Sequence, residues 1–136
     1  MNDRFLFRAK RKKWRELPKE KWWVEGYYAY MKPYHCIMTK DNFDSWIEID
    51  EKTLCQCTGL KDRNGKLIWE NDIVKHYNNQ DYPETYDLGI IYWDNYKSGF
   101  ERTSRTAKEN VRINDSCIYE VIGSAFDNPE LLDVEE

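Results

Sequence analysis

Apolar and polar positions alternate over short stretches, mostly with period two, which predicts strands. Phe5 and Phe7 alternate with Arg4, Leu6 and Arg8, so a strand there sets both rings on one face, until Lys10-Arg11-Lys12-Lys13 interrupts it. Trp22 to Tyr30 has strand composition, with Gly26 as a natural bulge or turn because it lacks a Cβ. Tyr34 to Thr39 and Trp46 to Asp50 read as two shorter strands, with turn chemistry at Asp41-Asn42 between them.

From Thr53 the pattern is more regular. Thr53 to Thr58 reads as a strand, Asp62-Arg63-Asn64-Gly65 as a hairpin turn and Lys66-Leu67-Ile68 as the return. Glu70-Asn71-Asp72 turns the chain into Ile73 to Tyr77, and Asn78 to Glu84 is a polar loop with Pro83. Leu88 to Trp93 is apolar on both faces, the mark of a central strand. Apolar residues thin out between Asp94 and Asp115, and Glu101 to Asn110 suits a helical turn. Cys117 to Ile122 returns to strand, and Asp127-Asn128-Pro129-Glu130 starts a short helical turn that runs into an acidic end.

Composition explains how such a polar chain closes a core. Only 40% of the 136 residues are hydrophobic and 34% are charged, but six Trp, ten Tyr and five Phe supply wide rings, each able to bury roughly 150–250 Å². The net charge of -4 hides a division: residues 1–22 carry +6 and residues 23–136 carry -10. A basic head on an acidic body suits contact with nucleic acid, or neutralisation of the acidic part of its own or a neighbouring subunit. No apolar run approaches the roughly 18–20 residues that span a bilayer, and the N-terminus lacks a signal-peptide core. The expected location is therefore cytoplasmic, with Cys36, Cys55, Cys57 and Cys117 reduced.

Candidate chemistry is sparse. Cys55-x-Cys57 points both sulfurs to one face of a strand, whereas structural zinc sites pair cysteines two to four residues apart, so packing is the better account. His35 and Cys36 are adjacent in a strand and face opposite ways, and no nucleophile motif, Walker loop or dinucleotide fingerprint is present. The acidic and amide residues of Asp62 to Asp72 suit turn geometry better than a reactive cluster. No catalytic residue, metal or cofactor is expected. The most informative segment is Lys10, Arg11, Lys12, Lys13, Trp14 and Arg15, where cations that neutralise phosphates or carboxylates flank an aromatic ring. Trp14 is the aromatic expected outside the core.

Several stretches together resemble the YopX-type proteins of bacteriophages and prophages of Gram-positive bacteria. They are Arg4 to Ala9, Trp23 to Tyr28, Ile49-Asp50 with Thr53, the dense run Gln56 to Lys66, Glu70 to Val74, Gly89-Ile90, Glu120 to Gly123 and Asp127 to Leu132. This chain has Cys57 where a tyrosine is usual and Asn71 where a glycine is usual. The resemblance implies an SH3-like small β-barrel in the C-terminal part, preceded by a smaller β-rich segment, and it carries over no activity.

The expected architecture is mainly β. Residues 1–52 form a β-rich segment with the basic head, 53–126 the SH3-like barrel, and 127–136 a short helical turn and acidic tail. The expected role is a non-enzymatic, phage- or prophage-derived binding module in the host cytoplasm, acting through protein contacts that include homo-oligomerisation. A nucleic-acid-binding barrel that uses the basic head is the alternative. Neither a membrane nor a small-molecule substrate is indicated.

Overall fold

The computed structural model describes residues 3–39, 45–77, 85–104, 110–114 and 118–133. Strands dominate, joined by short 3₁₀ turns, with no α-helix among the described residues. None of the described helical turns is long and apolar enough to cross a membrane. The expected turn at Asp41-Asn42 and the expected loop from Asn78 to Glu84 lie outside the described residues. The chain divides into two compact units, Met1–Cys57 and Thr58–Glu136.

In the first unit, β1 (Phe7–Lys10) pairs antiparallel with the start of β2 (Trp23–Met31), from Phe7 opposite Gly26 to Lys10 opposite Trp23. On its other side, Phe7 and Arg8 pair with Gln56 and Cys55 at the start of β5 (Cys55–Lys61). β2 continues into β3 (Tyr34–Thr39), which pairs with β4 (Trp46–Glu48). The chain leaving β4 then returns to the end of β1: Lys12 N donates to Glu48 O at 3.1 Å, and Asp50 N donates to Lys10 O at 2.9 Å. The core holds Ala9, Val24, Ile37 and Ile49, with Phe7, Tyr28, Ile47 and Leu54 packed against them.

Two expectations for this unit need correction. Phe5 is not in the first strand; Asp3–Phe5 form a 3₁₀ turn and the Phe5 ring is exposed. Gly26 makes no bulge, since β2 pairs without interruption from Gly26 opposite Thr39 to Met31 opposite Tyr34. Glycine is needed there for space, because a Cβ would lie 2.0 Å from Met38 O.

In the second unit, the end of β5 turns at Asp62 into β6 (Leu67–Trp69). Asp62 organises the turn: Oδ1 accepts from Asn64 N at 2.8 Å and Lys66 N at 2.9 Å, and Oδ2 accepts from Val121 N at 3.0 Å. Gly65 alone in this turn has a positive φ, +81°. Asn71 adopts φ 68°, the left-handed region that glycine prefers and asparagine tolerates. Asp72 Oδ2 accepts from Trp69 N at 2.8 Å and closes the second turn.

The remaining strands are β7 (Asp72–Tyr77), β8 (Tyr86–Asp94), β9 (Gly99–Arg102), β10 (Val111–Arg112) and β11 (Ile118–Ser124). Their order is β10-β9-β8-β7-β11, so β8 is central as its two apolar faces predict. Ile68, Val74, Ile91, Phe100, Ile113 and Tyr119 make the core. The strands form two open antiparallel sheets rather than the closed barrel that the resemblance implied; in the second, β10 and β11 end on opposite edges.

The helical turn expected from Glu101 is a strand at its start. Glu101 and Arg102 lie in β9, opposite Tyr92 and Ile91, and both are buried. Residues 105–109 lie outside the described residues. The short helical turn expected near Asp127 is a 3₁₀ turn, Pro129–Asp133.

Candidate interaction surface

The basic head is a folded loop, because its tryptophans hold its cations. Lys10 ends β1 and is 1% exposed. Its backbone is taken by Thr53 Oγ1 (2.8 Å from Lys10 N) and by Asp50 N. Its ammonium stands 3.7 Å from the Trp14 ring centre, 4.5 Å from Trp22 and 5.5 Å from Trp23. Trp14 meets Trp22 edge-on at 4.7 Å and donates from Nε1 to Asp50 Oδ2 at 3.1 Å. It is therefore half-buried rather than outside. Desolvated cation–π contacts of this kind are worth about 2 kcal/mol or more each, and exposed ones about half that.

The other head residues surround this knot. Arg11 is half-buried, its N donating to Trp22 O at 2.8 Å and its Nη1 to Lys21 O. Lys12 is exposed and pairs with Glu48 Oε2 at 2.8 Å, a hydrogen bond that, with the carboxylate's charge, raises its pKa. Lys13 is exposed at φ 58°, and Arg15 lies over the Trp14 ring at 4.2 Å. Lys12, Lys13 and Arg15 line a cleft of about 320 Å³ with Asp50, Lys52 and His35. His35 is fixed there by Glu51 Oε2 at 2.7 Å from Nε2 and by the Tyr28 hydroxyl at 2.5 Å from Nδ1.

A second groove lies on the outer face of β2, β3 and β4. The register sets Tyr28, Ile37 and Ile47 in one cross-strand row, packed in or against the core. The alternate rows therefore face outward: Tyr27 with Met38 and Trp46, Ala29 with Cys36 and Glu48, and Met31 with Tyr34. Met31, Tyr34 and Trp46 are 49%, 52% and 45% exposed. With Cys36 and Glu48 they line a groove of about 410 Å³. Burial, then the charge of Glu48, raises the Cys36 thiol pKa, which keeps it protonated. Glu48 also lines the basic cleft, so the apolar groove and the cleft adjoin.

The expected site residues thus separate. Lys12, Lys13, Trp14 and Arg15 meet around one cleft, while the Lys10 side chain is enclosed and Arg11 is turned to the backbone of Lys21. Sequence reasoning missed Met31, Tyr34 and Trp46. The signal was present in Tyr27 to Met31, apolar at every position and so apolar on both faces of a strand.

Other groups of polar and thiol side chains lie elsewhere in the two units. Arg102 Nη1 donates to Asp87 Oδ2 at 2.7 Å, Nη2 lies 3.1 Å from His76 Nδ1, and Ser104 Oγ also bonds Asp87 Oδ2. Cys55 and Cys57 are buried, with Cys55 Sγ 3.2 Å from Thr53 O. No group of three or more His, Cys, Asp or Glu side chains suited to a metal is found among the described residues.

Comparison with known proteins decides the family. The YopX family, described as YopX protein, matches residues 6–133. The chain belongs to the YopX family. Among curated proteins no relative matches it. A similar solved structure is that of protein EF1440 from Enterococcus faecalis, 25% identical, with a TM-score of 0.54, covering 93% of this chain and 96% of that one. This YopX-family chain therefore shares its mainly β architecture with a bacterial protein of nearly the same extent.

Proposed function

We propose that this YopX-family protein is a non-enzymatic binding module that grips another protein through the outer face of β2, β3 and β4. The observation that carries the reading is the exposed trio Met31, Tyr34 and Trp46 around buried Cys36. An antiparallel sheet with one face on the core normally turns polar residues to water on the other. Contiguous apolar surface with a polar rim marks a partner site, and exposed Trp and Tyr are the residues that dominate binding energy there. The adjoining Lys12, Lys13, Arg15 and Lys52, which outnumber the Glu48, Asp50 and Glu51 carboxylates of the same cleft by one, favour a partner segment that combines carboxylates with apolar side chains.

Protein is favoured over nucleic acid because the Trp14 ring, the expected base-stacking platform, already carries Lys10 and Arg15. We read the second unit as an opened SH3-like scaffold, supported by its meander β7-β8-β9-β10 with β11 returning to pair with β7. The proposed setting is the cytoplasm of a bacterial host of phage or prophage origin, as the family resemblance implies.

The test is capture from phage-infected cells by the intact chain and by Trp46→Glu, with and without nuclease, with Tyr96→Glu as the exposed-aromatic control in the second unit. Nuclease-resistant capture that Trp46→Glu abolishes and Tyr96→Glu retains supports the reading. Capture that survives Trp46→Glu overturns it. Nuclease-sensitive capture lost when Lys12, Lys13 and Arg15 become Ala supports the nucleic-acid reading instead.

A further inference from the structure

We infer that the partner fitted to this face is a second copy of the same chain, whose residues 127–136 lie across the groove; the inference rests on the protein-binding reading above. The site has two adjoining halves: an apolar groove lined by Met31, Tyr34 and Trp46, and a cleft where Lys12, Lys13, Arg15 and Lys52 stand with Glu48, Asp50 and Glu51. The three carboxylates are already engaged, Glu48 with Lys12 at 2.8 Å, Glu51 with His35 at 2.7 Å and Asp50 with Trp14 Nε1 at 3.1 Å, so an incoming carboxylate does not meet them as isolated charges.

An occupant must therefore offer carboxylates interleaved with apolar side chains over a short length. Asp127-Asn128-Pro129-Glu130-Leu131-Leu132-Asp133-Val134-Glu135-Glu136 does so, with five acids, no base, and Leu131, Leu132 and Val134 between them. Asp127 and Asn128 are tied to Ser124 at the end of β11. Asp127 N donates to Ser124 Oγ at 3.1 Å, Asn128 N to Ser124 O at 2.8 Å, and Ser124 N to Asn128 Oδ1 at 3.2 Å. Asp127 and Glu130 remain exposed. A segment held in shape before it binds loses less conformational freedom on binding.

Groove against acidic stretch joins unlike surfaces. The contact is therefore heterologous: made once per copy it builds rings or open chains, and made reciprocally it closes a pair.

Sedimentation of the full chain over a concentration series tests this, alongside Trp46→Glu and the double variant Glu130→Lys with Asp133→Lys, each checked for an unchanged melt; Tyr34→Glu replaces Trp46→Glu if that variant unfolds. The expected result is association of the native chain that rises with concentration and weakens with salt, with each variant monomeric. An equimolar mixture of the two variants recovers association that stops at twice the chain mass, since only one intact groove and one intact stretch remain to meet. A native chain that stays monomeric overturns the inference while leaving the face itself to the capture experiment. Association that survives either variant, or that the mixture fails to recover, also overturns it.

Discussion

The Lys10 ammonium lies 3.7 Å from the centre of the Trp14 ring, and this contact ties the basic loop to the end of the first strand. Removing the ammonium leaves three indoles around a void and frees the loop. Lys10→Ala is expected to lose about 1–3 kcal/mol, combining cation–π and stem packing. Lys13→Ala, three residues on but exposed, is expected to stay within about 0.5 kcal/mol of the parent. Urea unfolding followed by tryptophan fluorescence compares them, and equal midpoints for the two variants would refute the caged-lysine account.

Gly26 and Gly65 separate two reasons for a glycine. A Cβ on Gly26 runs into Met38 O of the neighbouring strand, while one on Gly65 meets nothing within 4 Å and is opposed only by φ +81°. Gly26→Ala should cost about 3 kcal/mol or more by forcing the strands apart. Gly65→Ala should cost about 1–2 kcal/mol from backbone strain alone. Thermal melts that rank them the other way contradict this assignment.

Asp62 is the hub of the first turn in the second unit. Its carboxylate takes three backbone N–H groups, those of Asn64, Lys66 and Val121, so Asp62→Ala strands donors on both β11 and the turn. A loss of at least about 1.5–3 kcal/mol is expected, the range for hydrogen bonds to a charged group. Amide exchange at Val121 and Lys66 should quicken in the variant; unchanged protection at both would show that the turn holds without the carboxylate.

His76 gives the second unit a pH dependence of known sign. Burial, then the Arg102 charge beside it, lowers its pKa from the ordinary 6.5, against a smaller opposing effect of Asp87. The unfolded chain therefore binds the proton more readily than the folded one. This contribution to stability is complete above the unfolded value and is lost as pH falls through 6.5 toward the folded pKa. Urea midpoints at about pH 7.5 and about pH 5.5 should differ more for the parent than for His76→Gln. Equal differences would remove His76 as the cause.

Much of this architecture was legible in the sequence. Alternating faces marked β7 and β11, strand composition marked β2 and β3, apolarity on both faces marked β8, and Asn64-Gly65 marked a turn, because these signals are local. Glu101 and Arg102 misled because their charges are met inside the sheet, by residues of β8 and of the turn that leads into β9. Asp87 holds Arg102, while Lys97 and the Tyr92 hydroxyl reach Glu101. Lys10 misled in the same way, since a lysine reads as solvated until three rings from elsewhere in the chain enclose it. Met31, Tyr34 and Trp46 escaped notice because aromatic abundance suggests a core, and only the strand register shows that these side chains face away from it.

The placement of β1 also sets the order of events when the chain folds. Its four residues take partners from residues 23–26 on one side and from residues 50–56 on the other. β1, made before both of its partners, is thus satisfied late, and such distant pairings slow folding. In pulse-labelled refolding, the Lys10 amide, which donates to Thr53 Oγ1, should gain protection no sooner than those of Cys55 and Gln56. A ribosome-bound chain that has not yet exposed residue 56 holds β1 as an incomplete edge.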